Sequence, residues 1–501
     1  MKNLKYWLAA AFLGPASYSF AQQAPQGYAV DALRFSQTQP SGTARSLGIG
    51  GATVAMGADL GSLVTNPAGL GLYQRSEFSF TPGLGLGSTD SNYLGSTATD
   101  TRNSLHIASM GAVFVNRKPD SDNNPWRGGS LALGLNRISD YNQNLRYRGT
   151  AGPNQNILNR LENDRETDLD DLAFEAYLTE RDSRGTYVPS DYSQALQGSL
   201  VQEGTVQVSG SQTQFDIGYG ASYRDKLYLG GGIGLTNVRY NSVTTLSATD
   251  PSAAAPNTPG TAFQSLAYRE TLETRGAGVN ARIGAIYRAN DAVRVGVSVQ
   301  TPTYMQLAET YGSSINATFD TPIQPEPGPG AKTYTATSAV SKPGEFDYVL
   351  TSPFRASGGV AVVVGKYGFL SGDAEYVNYG QARLSNNNYN NDFGLDNDDV
   401  RNLYQSAVNL RVGGELRFDI FRLRAGYARY GDAYKQSGYD RTQSYFTGGA
   451  GIRQNSFFLD VAGVYGTSKR FYSPYTLSSN TPVVNVNGTK FTTTFTAGFL
   501  F

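Results

Sequence analysis

Residues 214–224 read Gln-Phe-Asp-Ile-Gly-Tyr-Gly-Ala-Ser-Tyr-Arg, a run in which apolar residues alternate with polar or small ones. Successive side chains of a β-strand point to opposite faces, so Phe215, Ile217 and Tyr219 share one face while Asp216 and Gly218 share the other. The first face suits lipid and the second suits water. A soluble β-sandwich also alternates, so this pattern alone does not place the sheet in a membrane.

The spacing of similar runs along the chain favours a membrane barrel. Short turns at 224–226, 289–291 and 454–455 alternate with long polar connections, of which 142–210 is the longest. Short turns at one end of a sheet and long loops at the other are typical of outer-membrane barrels. We therefore predict an all-β protein, a transmembrane antiparallel β-barrel of about 14 strands. The predicted strands lie near 76–88, 103–116, 130–141, 211–223, 226–239, 275–288, 292–304, 354–366, 368–380, 405–418, 420–431, 442–454, 456–466 and 489–501.

The composition excludes several classes of function. Lys plus Arg and Asp plus Glu both number 41, so no basic surplus indicates nucleic-acid binding. The chain has no cysteine and one histidine, His106. Metal sites built from cysteine or several histidines, and catalytic sites that need a cysteine nucleophile, therefore lack the necessary residues. We expect no cofactor, no metal and no enzymatic activity.

The first 21 residues have the layout of a cleavable secretory signal. Lys2 and Lys5 precede an apolar run, and the segment ends in Ser19-Phe20-Ala21. We predict cleavage near Ala21 and a destination in the outer membrane of a Gram-negative type of cell, which the chain would cross with strands.

Residues 43–70 are rich in glycine and small side chains but show neither a strand nor a helix period. Barrels of about eight strands are filled by their own side chains, whereas those of 16 to 18 enclose an aqueous channel, so a barrel between these sizes has a lumen to occupy. We therefore predict that residues 22–75 form a hatch inside the lumen and that residues 76–501 form the barrel.

Three parts of this N-terminal segment resemble the hatch of the FadL-like outer-membrane transporters of long-chain fatty acids and other hydrophobic compounds. They are Leu47-Gly-Ile-Gly-Gly-Ala52, Asp59 and Thr65-Asn-Pro-Ala-Gly-Leu70. Residues 287–303, 371–379 and 423–430 look like barrel strands of the same family. The resemblance implies a plugged 14-stranded barrel in which ligand passes from external loops to a lumenal pocket and leaves sideways at a kinked strand. It also implies that Asn66, Pro67, Ala68 and Gly69 take part in gating.

Several arginines fall on predicted lumenal faces, where one of them would be available to a fatty-acid carboxylate, since charge-assisted pairing is strong. The candidates for this ligand contact are Arg282, Arg294, Arg411 and Arg424. The alternative is that they pair with carboxylates on the same faces. Those carboxylates belong to Asp216, Asp373, Glu375 and Glu415.

The loop at 142–210 contains two short runs with helical spacing of apolar residues, 155–162 and 169–178. They predict two amphipathic helices that offer a landing site for a hydrophobic ligand. The residues concerned are Leu158, Leu161, Leu172 and Phe174. Alternatively, the two helices pack on each other and cap the barrel.

The function favoured by these observations is uptake of long-chain fatty acids or other hydrophobic compounds through a plugged barrel. Two alternatives stay open: a structural or secretion-system partner barrel of the same family, and a diffusion porin for small solutes. The expected partners are a hydrophobic small molecule, the outer-membrane bilayer and, because the last strand ends in Phe501, the barrel-assembly machinery. We expect the protein to be a monomer.

Overall fold

The computed structural model describes residues 27–119, 121–161, 168–183, 185–193, 199–251, 262–326, 328–386 and 393–501. The predicted signal peptide, residues 1–21, and its cleavage site lie outside these residues. No helix in the described part of the chain is long and apolar enough to cross a membrane.

The chain begins with short helices and continues almost entirely as strands. The helices are α1 (Ala29–Arg34), α2 (Ala44–Gly48), α3 (Ser62–Thr65), α4 (Ile157–Arg160), α5 (Asp168–Glu175) and α6 (Gly394–Leu403), with 3₁₀ helices at Pro67–Leu72 and Tyr379–Gln381. The strands are β1 (Glu77–Tyr93), β2 (Ser96–Arg117), β3 (Trp126–Asp140), β4 (Gln143–Ala151), β5 (Thr179–Arg181), β6 (Tyr187–Pro189), β7 (Leu200–Tyr223), β8 (Leu227–Thr249), β9 (Phe263–Arg288), β10 (Val293–Gln300), β11 (Tyr304–Ile323), β12 (Tyr334–Val340), β13 (Gly344–Thr351), β14 (Arg355–Val364), β15 (Gly368–Asn378), β16 (Arg383–Ser385), β17 (Ser406–Phe418), β18 (Phe421–Tyr430), β19 (Gln443–Gln454), β20 (Phe457–Tyr472) and β21 (Val484–Leu500).

Fourteen of these strands close into an antiparallel barrel, as the sequence predicts. The order around the wall is β1-β2-β3-β7-β8-β9-β10-β14-β15-β17-β18-β19-β20-β21. The last strand pairs with the first from Glu77↔Leu500 to Tyr93↔Val484, which closes the wall. Closure is what lipid requires, because an open edge would leave backbone donors and acceptors without partners.

The two faces of the wall follow the predicted alternation. Phe215, Ile217 and Tyr219 are exposed on the outside, whereas Asp216 is buried on the lumenal side. The same holds on β17, where Val408, Leu410 and Val412 are exposed. The exposed apolar residues form the band that faces lipid.

The predicted strand ends are wrong on the external side. Much of 240–274 and 305–353, expected to be loop, belongs to β8, β9, β11, β12 and β13, which extend the sheet beyond the apolar band. Above the lipid, residues on the outward face no longer need to be apolar. The alternation of apolar and polar residues that indicates a membrane strand is therefore lost, although the backbone hydrogen bonds between the strands continue. Likewise, β1 and β2 are joined by a tight turn at Leu94-Gly95, where both residues have positive φ (49° and 83°), the conformation that suits a two-residue hairpin.

An external cap lies over one end of the barrel. The two predicted loop helices are present as α4 and α5, whereas α6 was not predicted because its residues, Gly-Leu-Asp-Asn-Asp-Asp-Val-Arg-Asn-Leu, offer few apolar positions. Leucines of α4 and α5 join the largest hydrophobic cluster of the protein, which also includes Ala29, Leu33 and Phe35 of the N-terminal segment. The cap and the N-terminal segment therefore share one core.

Candidate functional site

The hatch, residues 27–75, contacts the lumenal face of the barrel at many points. The backbone amide of Ala44 donates to the Thr496 hydroxyl at 2.8 Å, and that of Val54 donates to the Asp373 carboxylate at 2.9 Å. Inside the hatch, the Asp59 carboxylate accepts hydrogen bonds from the hydroxyls of Thr43 and Ser46 at 2.8 and 2.5 Å. These non-local bonds, rather than a local period, hold the glycine-rich segment in shape.

The Asn66-Pro67-Ala68-Gly69 element is a fixed corner of the hatch. Asn66 has an extended backbone (φ −152°, ψ 103°), as expected before proline, and its side-chain oxygen accepts from the Ala68 amide at 3.1 Å, which begins the 3₁₀ helix. Its side-chain amide donates to the carbonyl of Val54 at 2.7 Å and to that of Ala285, on β9, at 3.3 Å. Asn66 thus ties two hatch segments to the wall, and its role in gating stays a prediction.

Glycines on the lumenal face let this corner lie directly against the strands. A Cβ at Gly230 would lie 2.3 Å from the Pro67 carbonyl carbon, and one at Gly284 would lie 2.0 Å from the Asn66 side-chain oxygen. Gly220, Gly230 and Gly284 therefore form a docking ledge for this corner of the hatch.

The four predicted ligand arginines lie beside the hatch, and each has a partner. Arg424 bridges Glu415 at 2.8 Å and Asp460 at 2.6 Å. Arg411 pairs with Glu375 at 3.2 Å. Because these groups are buried, the geometry resembles the lumenal ion pairs that the sequence left open as an alternative.

The other two arginines hold carbonyl oxygens of the hatch. Arg282 donates to Leu63 at 2.5 Å and lies 3.7 Å from Asp216, and Arg294 donates to Met56 at 3.3 Å. Contact of any of the four arginines with ligand stays a prediction.

A cavity of about 1450 Å³ opens above the hatch, at the external mouth of the barrel. Val30, Leu33 and Arg34 of α1 form part of its lining. Aromatic side chains from the surrounding strands supply another part, namely Tyr141, Tyr240, Tyr268, Tyr311, Tyr445 and Tyr472. We call this space the mouth cavity. None of the four predicted arginines belongs to its described lining.

The mouth cavity contains charged groups that the sequence analysis did not identify. Arg470, on β20, lines it, and its guanidinium makes no hydrogen bond or ion pair with the described residues. Arg34 also lines it and stacks on the Tyr240 ring, with 4.1 Å from the guanidinium carbon to the ring centre. Glu270, on the external extension of β9, also lines it and accepts a hydrogen bond from the Tyr268 hydroxyl at 2.9 Å. The predicted strand ends at residue 466, so the sequence pattern did not indicate that Arg470 lies on a strand and faces the lumen.

Helix α1 is anchored in the external cap. The Tyr28 ring lies 4.9 to 5.4 Å from the rings of Phe346, Tyr348 and Phe393, and its backbone amide donates to Asp396 of α6 at 3.1 Å. A molecule in the mouth cavity would therefore touch the part of the hatch that the cap holds in place.

The barrel wall is interrupted between β2 and β3 beside the mouth cavity. Their ladder ends at Ser109↔Asn136, and no described strand forms a backbone ladder with this edge of β2 between residues 98 and 108. The third wall strand bends inward after Asp140, and its continuation, β4, crosses the inner face of β1, where Ser91 donates to the Arg146 carbonyl at 2.6 Å. Leu105, outward on the open edge, is 83% exposed, so the interruption lies at the level of the lipid-facing band.

A segment of the hatch occupies the lumenal side of this interruption. Gln39 donates its backbone amide to the Ile138 carbonyl at 2.9 Å, and its side chain exchanges hydrogen bonds with the backbone of Asp140 at 3.2 and 3.3 Å. The Ser139 hydroxyl donates to the Gln37 carbonyl at 2.9 Å. The hatch thus supplies partners to β3 where β2 does not.

The predicted landing site is not an exposed surface. Leu158, Leu161 and Leu172 are at most 3% exposed and pack in the core of the cap, because the external strands cover both helices. Phe174 is 40% exposed and lies against the Tyr187 ring at 5.7 Å. The arrangement agrees with the alternative in which the helices cap the barrel, and a landing role for Leu158, Leu161, Leu172 and Phe174 stays a prediction.

Together, the lipid-facing band, the filled lumen and the mouth cavity define a plugged barrel of the outer-membrane type. The sequence matches no family model and no curated protein sequence. The fold, however, is shared with solved transporters, which confirms at the level of structure the resemblance to FadL-like proteins.

Three of these similar structures cover nearly the whole chain. The toluene transporter TodX of P. putida is 12% identical with a TM-score of 0.54, over 92% of this chain and 99% of that one. The toluene transporter TbuX of Ralstonia pickettii is 14% identical with a TM-score of 0.51, over 92% and 99%. A FadL homologue of Pseudomonas aeruginosa is 13% identical with a TM-score of 0.51, over 93% and 99%. At these identities the likeness establishes the fold.

Proposed function

We propose that the protein carries hydrophobic small molecules across the outer membrane, taking them up in the mouth cavity and releasing them sideways between β2 and β3. The observation that carries this proposal is the position of Gln39, which lines the mouth cavity and pairs with β3 at the wall interruption. A single hatch segment thus separates the cavity from the lipid-facing side of the barrel.

The hatch itself argues for a lateral rather than an axial route. Leu60, Leu63 and Leu70 are buried in one cluster with Val113 and Ala132 of the wall. Opening an axial path would expose these side chains, and fully burying a leucine contributes about 1.5–3 kcal/mol. Moving the 37–39 segment would break the hydrogen bonds of Gln37 and Gln39 with β3 and leave this leucine cluster buried. This contrast also favours a gated transporter over a diffusion porin.

The chemistry of the mouth cavity suits a ligand with a large apolar part. Tyrosine rings offer apolar faces and hydroxyl tips, and Val30 and Leu33 add aliphatic surface. The solved transporters of the same fold are described as carrying toluene. We propose monoaromatic hydrocarbons and long-chain fatty acids as the two ligand classes to compare, because Arg470 offers a carboxylate a charge-assisted partner.

The test measures uptake of radiolabelled toluene and oleate by cells that lack the protein and by cells that express it. A His106→Trp variant places a bulky ring on the lumenal side of the open β2 edge, and Leu105→Trp places the same ring on the outward side. We expect uptake of at least one ligand to depend on the protein, to fall several-fold in His106→Trp and to be retained in Leu105→Trp.

Two outcomes would contradict the proposal. Unchanged uptake of both ligands without the protein would exclude transport of these compounds. Normal uptake by a correctly folded His106→Trp variant would exclude the lateral route. Steady ion conductance of the unmodified protein in planar bilayers would instead indicate a porin.

A further inference from the structure

A buried pair of carboxyl groups joins α1 of the hatch to the external extension of the sheet. Asp31 lies on α1 and Glu309 on β11, and each residue is 5% exposed. The Tyr348 hydroxyl lies 2.9 Å from Asp31 Oδ2 and 3.0 Å from Glu309 Oε1. The outward residues of β11 at this height, Gln306, Ala308 and Thr310, are exposed and not strongly apolar, so the pair lies outside the lipid-facing band.

Counting hydrogens shows that this arrangement requires an additional proton. A tyrosine hydroxyl has one hydrogen and can donate to one of the two carboxylates. The contact with the second carboxyl is a hydrogen bond only if that carboxyl is protonated and donates to the tyrosine oxygen. Thr274 donates to Glu309 Oε1 at 3.2 Å but makes no contact that would bridge the pair.

Counting charges leads to the same conclusion. Arg34 forms an ion pair with Asp31, so one cation faces two carboxyl groups. Among the residues that the structure describes, the remaining titratable groups that face the pair are phenols, which are neutral at ordinary pH. They belong to Tyr28, Tyr141, Tyr311, Tyr348 and Tyr404. The site is electrically balanced when one carboxyl is protonated.

We propose that Asp31, Glu309 and Tyr348 form a proton-dependent clamp that holds α1 to the external strands β11 and β13 and releases it when the shared proton is lost. Since α1 lines the mouth cavity and leads directly to Gln37 and Gln39, its release would loosen the segment that covers the wall interruption. Protons would then control the closed state of the hatch independently of which ligand is transported.

The direction of the pH dependence follows from linkage. Burial away from water and the neighbouring Asp31 carboxylate raise the pKa of Glu309 to about 8. The clamped state therefore holds a proton that the released state gives up, so clamping is strongest below the ordinary glutamate range and weakens as pH rises towards 8. Within that window the released fraction grows by at most about tenfold per pH unit.

The absence of native cysteine allows a direct measurement of α1 release. Ala32, on α1, has no exposed surface, so a cysteine introduced there reacts with a water-soluble thiol reagent only when α1 is released. The rate for Ala32→Cys in full-length protein, divided by that for an exposed Ser338→Cys variant, removes the effect of pH on thiol reactivity. We expect this normalised rate to be at least about tenfold higher at pH 9 than at pH 6.

Two further variants in the Ala32→Cys background test whether the rise in labelling rate depends on Glu309. Glu309→Gln should abolish the rise, because an amide can donate to the tyrosine or to Asp31 at either pH. Glu273→Gln, an exposed carboxyl on β9 paired with Arg275, should keep the full rise. The proposal is overturned if Glu309→Gln keeps the rise or if the parent shows none.

If the cysteine variant does not fold, the frequency of opening events in planar bilayers at pH 6 and pH 9 gives the same comparison for the cysteine-free protein. A rise in the parent and in Glu273→Gln that is absent from Glu309→Gln supports the clamp. Equal frequencies in the parent at the two pH values overturn it.

Discussion

The backbone amide of Gln39 in the hatch donates to the carbonyl oxygen of Ile138 in the wall across 2.9 Å. This bond takes the place of one that β2 would make if its ladder with β3 continued past Ser109. In lipid, an unpaired backbone group is costly, so the hatch stabilises the wall at the point where it is interrupted.

Replacing Gln39 by alanine removes the two side-chain bonds to Asp140 and leaves the backbone bond intact. Each such bond contributes about 0.5–1.5 kcal/mol, so the two together contribute about 1–3 kcal/mol, and we expect amide hydrogen exchange at Asp140 to accelerate roughly 5- to 150-fold. Gln74→Ala, whose side chain makes one bond of 3.4 Å to Leu72, should leave that rate unchanged. Equal protection in both variants would show that Gln39 does not stabilise this edge.

The substitution Gly230→Ala should weaken the binding of the hatch to the barrel wall. The added Cβ would lie 2.3 Å from Pro67, and overpacking of this kind costs about 1–3 kcal/mol. Gly231→Ala is the matched control, because its Cβ faces outward with its nearest neighbour at 3.7 Å. Limited proteolysis of the hatch and conductance in planar bilayers should both increase in Gly230→Ala only, and identical behaviour of the two variants would argue against the docking ledge.

Arg470 should distinguish acidic from neutral ligands. A hydrogen bond to a charged group contributes about 1.5–3 kcal/mol, so Arg470→Gln should lower oleate uptake about tenfold or more and leave toluene uptake nearly unchanged. Arg275→Gln, which removes an exposed arginine outside the mouth cavity, serves as the control. A parallel loss of both ligands in Arg470→Gln would indicate a structural role.

The buried Glu375 should matter for stability. It accepts from Arg355 at 3.0 Å, Arg411 at 3.2 Å and Asn409 at 2.8 Å, so Glu375→Gln leaves two arginines insufficiently paired. Breaking a buried pair typically costs about 3–5 kcal/mol, to be measured by urea unfolding of the refolded barrel. Glu203→Gln, which breaks the more exposed pair with Arg146, should change stability by less than about 1 kcal/mol. Similar midpoints for the two variants would contradict this expectation.

How far the sequence predicts this protein depends on what each residue faces. In Phe215-Asp-Ile-Gly-Tyr219, lipid on one side and lumen on the other impose a period of two, so the wall and its strand number could be predicted. Where both faces meet water or the cap, as in β11 and β12, that period is lost and the strand ends were missed.

The candidate site was predicted less completely, because distant contacts fix it. Nothing near Gln39 in the chain indicates that it pairs with Ile138, and Asp31 and Glu309 are brought together only by the closed barrel. The lumenal arginines were placed on the correct face, but their partners depend on strand register. Part of the mouth cavity is lined by Asn402 and Leu403 of α6, a helix whose sequence shows no clear apolar period.

The closing seam between β1 and β21 also sets an order of assembly. Ser76 and Phe501 exchange backbone hydrogen bonds at 3.1 and 3.0 Å, and the Ala44 amide of the hatch binds Thr496 on the last strand. The N-terminal plug therefore requires a surface on β21, which is synthesised long after the plug residues themselves. The hatch can therefore bind fully in the lumen only after β21 has joined the barrel. A chain truncated before residue 496 would lack the bond from Ala44 that helps to hold the hatch in place.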